Sequence, residues 1–118
     1  DLVKIVHNAV TNNLENTSID LINHTAITVV IASKGYPGTF KKGTKLPSLN
    51  KFDNQDDILI FHSGTAKNEN KNLISSGGRV LSVTAIGDNV QDCRQKAYDI
   101  VEEINWDKGF YRSDIGKL

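Results

Sequence analysis

TAITVVIAS, residues 25–33, is dense in β-branched side chains. Such side chains crowd a helix and pack well on a pleated surface, so the stretch reads as a strand. Its centre is apolar on both faces, which places it inside a sheet. ILIFHSG (58–64) and RVLSVTAI (79–86) read the same way, and the chain between them predicts a long hairpin that Leu73 and Ile74 briefly re-enter. Ahead of the first strand, Leu2, Val3, Ile5, Val6, Ala9, Val10 and Leu14 recur at spacings of three and four. This predicts a helix over 1–16, with Asp1 as the anion at its start and fraying at Asn12 and Asn13. Ser18–Leu21 reads as a short extended piece. Behind the last strand, Val90, Cys93, Ala97, Ile100, Val101 and Ile104 give a second amphipathic helix to about Asn105. Asp88 is its expected N-cap, with Gln91 closing a capping box. The order of elements predicts an α+β domain with a mainly antiparallel sheet and two flanking helices.

The length of 118 residues matches one domain, and 14 basic against 14 acidic side chains leave no net charge. That balance argues against a dedicated nucleic-acid or membrane-surface binder. The longest apolar run, Ile27–Ala32, is broken by Thr28 and is far too short to span a bilayer. The chain has one cysteine, Cys93, and no basic-then-apolar leader, so a reducing, cytoplasmic setting is expected. It has no methionine and starts with an apolar face already in register. The expectation is a piece of a longer protein. Trp106, Phe110 and Tyr111 fall within the last thirteen residues, which predicts a docked tail.

Few residues are arranged for chemistry. His7, His24 and His62 show no ligand spacing, so no metal site is expected. Cys93 lies on the apolar helix face and reads as a buried structural thiol. No GxSxG elbow, Walker loop or dinucleotide fingerprint occurs. Asp56-Asp57 and Glu102-Glu103 read as solubilising charge. Two glycine-rich segments stand out. Residues 33–43, SKGYPGTFKKG, hold three glycines, one proline and three lysines, a composition that only a loop accommodates. The second is SSGGR, residues 75–79. Each sets a cation beside backbone that glycine leaves bare, which is the chemistry of an anion cradle. On composition alone, tight turns with a surface Arg79 are the better-supported reading.

The blocks taken together carry more. ASKGYPGTFKKG, FHSGT, SGGRVLSVTAIGD and FYRSDIG occur in an order and spacing that resemble the C-terminal domain of the phosphoribosylamine–glycine ligase (glycinamide ribonucleotide synthetase) family, from residue 26 to 116. Ser63, Ser82 and Phe40 depart from the commoner pattern there, and the Asn- and Lys-rich turn at 67–72 is an elaboration of this chain. The resemblance implies an open, barrel-like sheet of rudimentary hybrid-motif type. It implies an ATP-grasp enzyme of purine biosynthesis, joining glycine to 5-phosphoribosylamine with ATP and Mg²⁺ or Mn²⁺. The products are glycinamide ribonucleotide, ADP and phosphate. The end of the chain falls where monofunctional, bacterial-type versions stop.

What the resemblance implies about this segment is narrower. Residues 1–118 would be one domain, with residues 1–16 leading in from the nucleotide-binding domains of the same chain. Catalytic and metal residues would lie in those domains, so the segment alone would be inactive and bind no cofactor. The domain would close the acceptor-substrate pocket. Arg79, helped by the Gly77 and Gly78 amides, would hold the 5-phosphate of phosphoribosylamine. Lys34, Gly35, Tyr36, Pro37 and Gly38 would line the same wall. Nucleic acid and membrane are not expected partners. Two other readings compete: a free-standing anion or small-molecule binding module, and an interaction domain with an exposed edge.

Overall fold

Strand β1 (Thr25–Ser33) is the one around which the sheet is built. The computed structural model describes residues 1–117. The other elements are α1 (Leu2–Val10), β2 (Ile58–His62), β3 (Thr65–Lys67), β4 (Leu73–Ser75), β5 (Arg79–Gly87), α2 (Val90–Ile104) and β6 (Gly109–Phe110). The four-stranded sheet runs β2-β5-β1-β6 and every pairing in it is antiparallel. β3 and β4 form a separate two-stranded ribbon inside the β2-to-β5 connection. The α+β reading and the antiparallel sheet therefore stand, but the sheet is open and does not close into a barrel.

Only one face of the sheet is covered. Ile27, Val29 and Ile31 of β1 and Leu81, Val83 and Ala85 of β5 are buried. Against them lie Cys93, Ala97, Ile100, Val101 and Ile104, the stripe read from the sequence of α2. Each large aliphatic side chain buried here contributes about 1.5–3 kcal/mol, so this layer is the main source of stability. The opposite face is bare. Cross-strand rows Thr28–Thr84–Leu59 and Val30–Ser82–Phe61 leave Phe61 at 52%, Leu59 at 43% and Val30 at 38% exposure. β1 is thus internal to the sheet, as expected, yet the apolar character of its second face is not used by any described residue. A bulge between Ile31 and Ala32 ends the alternation, so Ile31, Ala32 and Ser33 are buried in succession.

The helix starts and the tail differ in detail from expectation. Asp1 caps α1, its side chain accepting from Val3 N at 2.9 Å. Regular helix ends at Val10, Asn12 adopts φ 54°, and a single 3₁₀ turn follows at Leu14–Asn16. No residue of α1 is buried, so it does not flank the sheet, and residues 18–21 form no strand. The cap of α2 is Asn89, not Asp88: its side chain accepts from Asp92 N at 2.9 Å. Trp106 is buried, and its indole N–H donates to Lys45 O at 3.0 Å. Tyr98 Oη donates to Arg112 O at 2.6 Å and accepts from Ile115 N at 3.1 Å, so the tail is docked.

Two expectations about side-chain chemistry resolve here. Asp57 is more than a solubilising charge: it pairs with Lys96 at 2.9 Å, and Lys96 also reaches Asp92 at 3.1 Å. The Lys96 hydrogen bond holds the Asp57 carboxyl below its usual 3.8 and raises the ammonium. A lowered carboxyl favours the fold above its ordinary pKa and loses that contribution as pH falls through the folded value. A raised ammonium favours the fold until pH rises through its own. Lys96→Met should therefore lower the urea midpoint at pH 7, and its difference from wild type should shrink as pH falls below 3.8 and disappear below the lowered folded value. A deficit unchanged in acid would assign the effect to packing. Cys93 is fully buried, and its Sγ donates to Thr25 O at 3.1 Å. Burial, with the Asp92 charge, pushes the thiol up. A water-soluble disulfide reagent should label it at least about a hundredfold more slowly in native buffer than in denaturant. Equal rates would contradict the packing.

Candidate functional site

Three glycine turns meet at one end of the sheet. Ser33, the last residue of β1, has its N–H on Gly78 O at 2.7 Å and its hydroxyl on Gly77 O at 3.1 Å. The turn that follows needs Gly35: its φ is +97°, and an added Cβ would lie 2.2 Å from Thr39 O. Tyr36 N returns to Ser33 O at 3.0 Å, and the Tyr36–Pro37 peptide is cis. The Tyr36 ring then lies on Gly78, where a Cβ would come within 2.0 Å of Cδ2. Tyr36 also meets Phe40 edge-on, with ring centroids 5.9 Å apart. The two glycine-rich segments singled out in the sequence are therefore in contact.

A third turn, Ser63-Gly64, completes the junction. Gly64 N donates to Arg79 O at 2.8 Å, while Gly64 O accepts from Ser76 N at 2.7 Å and Gly77 N at 3.2 Å. A Cβ on Gly64 would sit 2.6 Å from Arg79 O and 2.7 Å from Gly77 Cα. Backbone approaches backbone here because neither glycine carries a side chain. The FHSGT block carried part of the family resemblance, but Gly64 was not among the expected site residues. Its only sequence signal was a glycine ending a strand.

The expected site residues fall around this junction as follows. Arg79 opens β5, is exposed, and has no ion-pair partner among the described residues. Register places Arg79, Ala32 and Phe110 in one cross-strand row. Lys34 is exposed and its N–H donates to Lys108 O at 2.9 Å, which brings a second lysine to this end. Pro37 and Gly38 are exposed and Tyr36 is half-buried. The Gly77 N–H is engaged by Gly64 O, so of the two glycine amides expected to face an anion, Gly78 is the better placed. One acid counters the cations: Lys108 pairs with Asp107 at 2.5 Å. That hydrogen bond, with a smaller pull from Lys34, holds the Asp107 carboxyl low.

This arrangement offers an arginine fork, bare backbone and a lysine, the parts of an anion site. No group of three or more His, Cys, Asp or Glu is placed to hold a metal among the described residues. His62 is held at its strand end, Nδ1 lying 3.0 Å from Thr65 Oγ1.

Residues 26–118 match the family model described as phosphoribosylglycinamide synthetase, C domain. The chain is 40% identical over 116 residues to the phosphoribosylamine–glycine ligase of Brucella melitensis, covering 98% of this chain and 27% of the relative. It is 39% identical over 117 residues to the chloroplastic phosphoribosylamine–glycine ligase of Arabidopsis thaliana, covering 98% of this chain and 22% of that protein. A crystal structure of the same-named ligase from Thermotoga maritima superposes with a TM-score of 0.72 at 29% identity, over 93% of this chain and 27% of that one. The chain thus spans about a quarter of the length of the relatives it matches. Together these matches show that the chain belongs to the phosphoribosylglycinamide synthetase C-domain family.

Proposed function

We propose that this chain is the C-terminal domain of a phosphoribosylamine–glycine ligase and forms the wall of its amine-substrate pocket. ATP and Mg²⁺ or Mn²⁺ belong to the preceding domains of that polypeptide, where glycine is activated as an acyl phosphate that the amine then attacks. The isolated domain is inactive and holds neither group. Residues 1–16 lead in from those domains, and the open sheet is of rudimentary hybrid-motif type.

The observation that carries this reading is the position of Arg79. It is exposed, free of any carboxylate partner among the described residues, and set where three glycine turns converge. A guanidinium beside bare backbone is suited to a phosphate, taking two oxygens at once. Arg79 and the Gly78 amide hold the 5-phosphate; Lys34 adds charge; Gly35–Gly38 and Tyr36 shape the rim. The bare sheet face with Val30, Leu59 and Phe61 fits a surface covered by the preceding domains, since a soluble domain leaves few such patches open. In the full-length ligase, Arg79→Ala should raise the KM for phosphoribosylamine and leave the KM for ATP unchanged. Equal rises in both, or none, would remove the reading.

A further inference from the structure

A second cationic hollow is lined mostly by residues outside the family blocks quoted above, and by none of the Arg79 junction. The segment from Lys45 to Asp53 and the β3–β4 ribbon enclose a groove of about 660 Å³, within the range of small-molecule sites. Lys45, Lys67 and Lys71 line it together with His62, against a single carboxylate, Asp53. None of the three lysines has an ion-pair partner among the described residues. The whole chain balances 14 basic against 14 acidic groups, so three cations to one acid in one groove is a local concentration of positive field.

The backbone that carries two of these exposed lysines is held in place. Lys45 is fixed from both sides: its carbonyl accepts the Trp106 indole N–H, and it bridges Ile74 of β4. Lys71 is held in a turn closed by Asn68, with Lys71 N on Asn68 O at 2.8 Å and Asn72 N on Asn68 Oδ1 at 2.9 Å. Its φ is +59°, a region that disfavours a residue with a Cβ and that glycine enters freely. The turn keeps a lysine there, at the rim of the hollow. Behind the cations, Pro47, Leu49 and Leu73 supply an apolar wall.

We infer that this groove binds a small phosphorylated molecule. Its phosphate rests on Lys45, Lys67 and Lys71, and its uncharged part lies along Pro47, Leu49 and Leu73. The site is separate from the Arg79 junction and does not depend on the ligase reading. The test is an amide NMR titration of the 118-residue chain with inorganic pyrophosphate. Saturable shifts are expected at Lys45, His62, Lys67, Lys71 and Asn72. Lys67→Ala/Lys71→Gly should weaken binding roughly tenfold or more, as loss of two charge-assisted contacts requires. That variant keeps the fold, since Lys67 is exposed and glycine prefers the backbone angle of residue 71. The charge-matched control Lys4→Ala/Lys117→Ala should bind as wild type does. Three outcomes would overturn the inference: shifts confined to Lys34 and Gly77–Arg79, a groove variant that binds normally, or a control that weakens equally.

Discussion

Gly64→Ala should destabilise the domain by about 3 kcal/mol, lowering the melting temperature by roughly 10 °C. The added methyl would meet Arg79 O at 2.6 Å, Gly77 Cα at 2.7 Å and Gly77 N at 2.8 Å. These are backbone atoms, so no rotamer change can relieve the clash. The turns must separate, and the Gly64 bonds to Ser76, Gly77 and Arg79 go with them. Gly43→Ala is the natural comparison. Gly43 has φ +75° but nothing within 4 Å of a Cβ, so it should cost only about 1 kcal/mol. The difference separates steric closeness from backbone preference. If Gly64→Ala melts with wild type, the three-turn junction is not as tight as described.

How much of this was legible beforehand follows from the kind of signal each feature leaves. β1, β5 and α2 declared themselves because burial imposes a period, and Cys93 and Ala97 fell on the covered face as that period required. Asn89 in place of Asp88 was a one-residue error that pattern cannot resolve, because either side chain can accept the helix N–H. The α1 stripe was real as a pattern, yet Leu2, Val3, Val6 and Val10 are exposed. An amphipathic pattern sets a helical period, and does not by itself bury the face it defines. The open face of β1 and β2 carries the same lesson: Val30 and Phe61 are apolar and remain uncovered. Within the site, the glycines of the two loops were visible, but their contact was not. The Tyr36 ring on Gly78 joins residues 42 positions apart in sequence, and only the register of β1 against β5 sets that meeting.

That meeting gives Arg79 its expected effect. In the full-length ligase, Arg79→Ala should raise the KM for phosphoribosylamine about a hundredfold, the size of a lost bidentate contact to a phosphate. On the proposed function the 5-phosphate lies away from the attacking nitrogen, so losing its contact would weaken ground state and transition state alike, and kcat should fall by much less. Arg79→Lys should recover only part of the loss, because an ammonium keeps the charge without the fork. Stability should not change, since the side chain is exposed and the carbonyl that anchors Gly64 is backbone. A role in folding would instead lower the melting temperature and disturb the KM for ATP and for amine together. Raising salt should weaken amine binding in wild type more steeply than in Arg79→Ala, because only the former keeps the charge that salt screens. Parallel salt dependences would place the phosphate on Lys34 and Lys108, which share this end of the sheet, and leave Arg79 as a bystander.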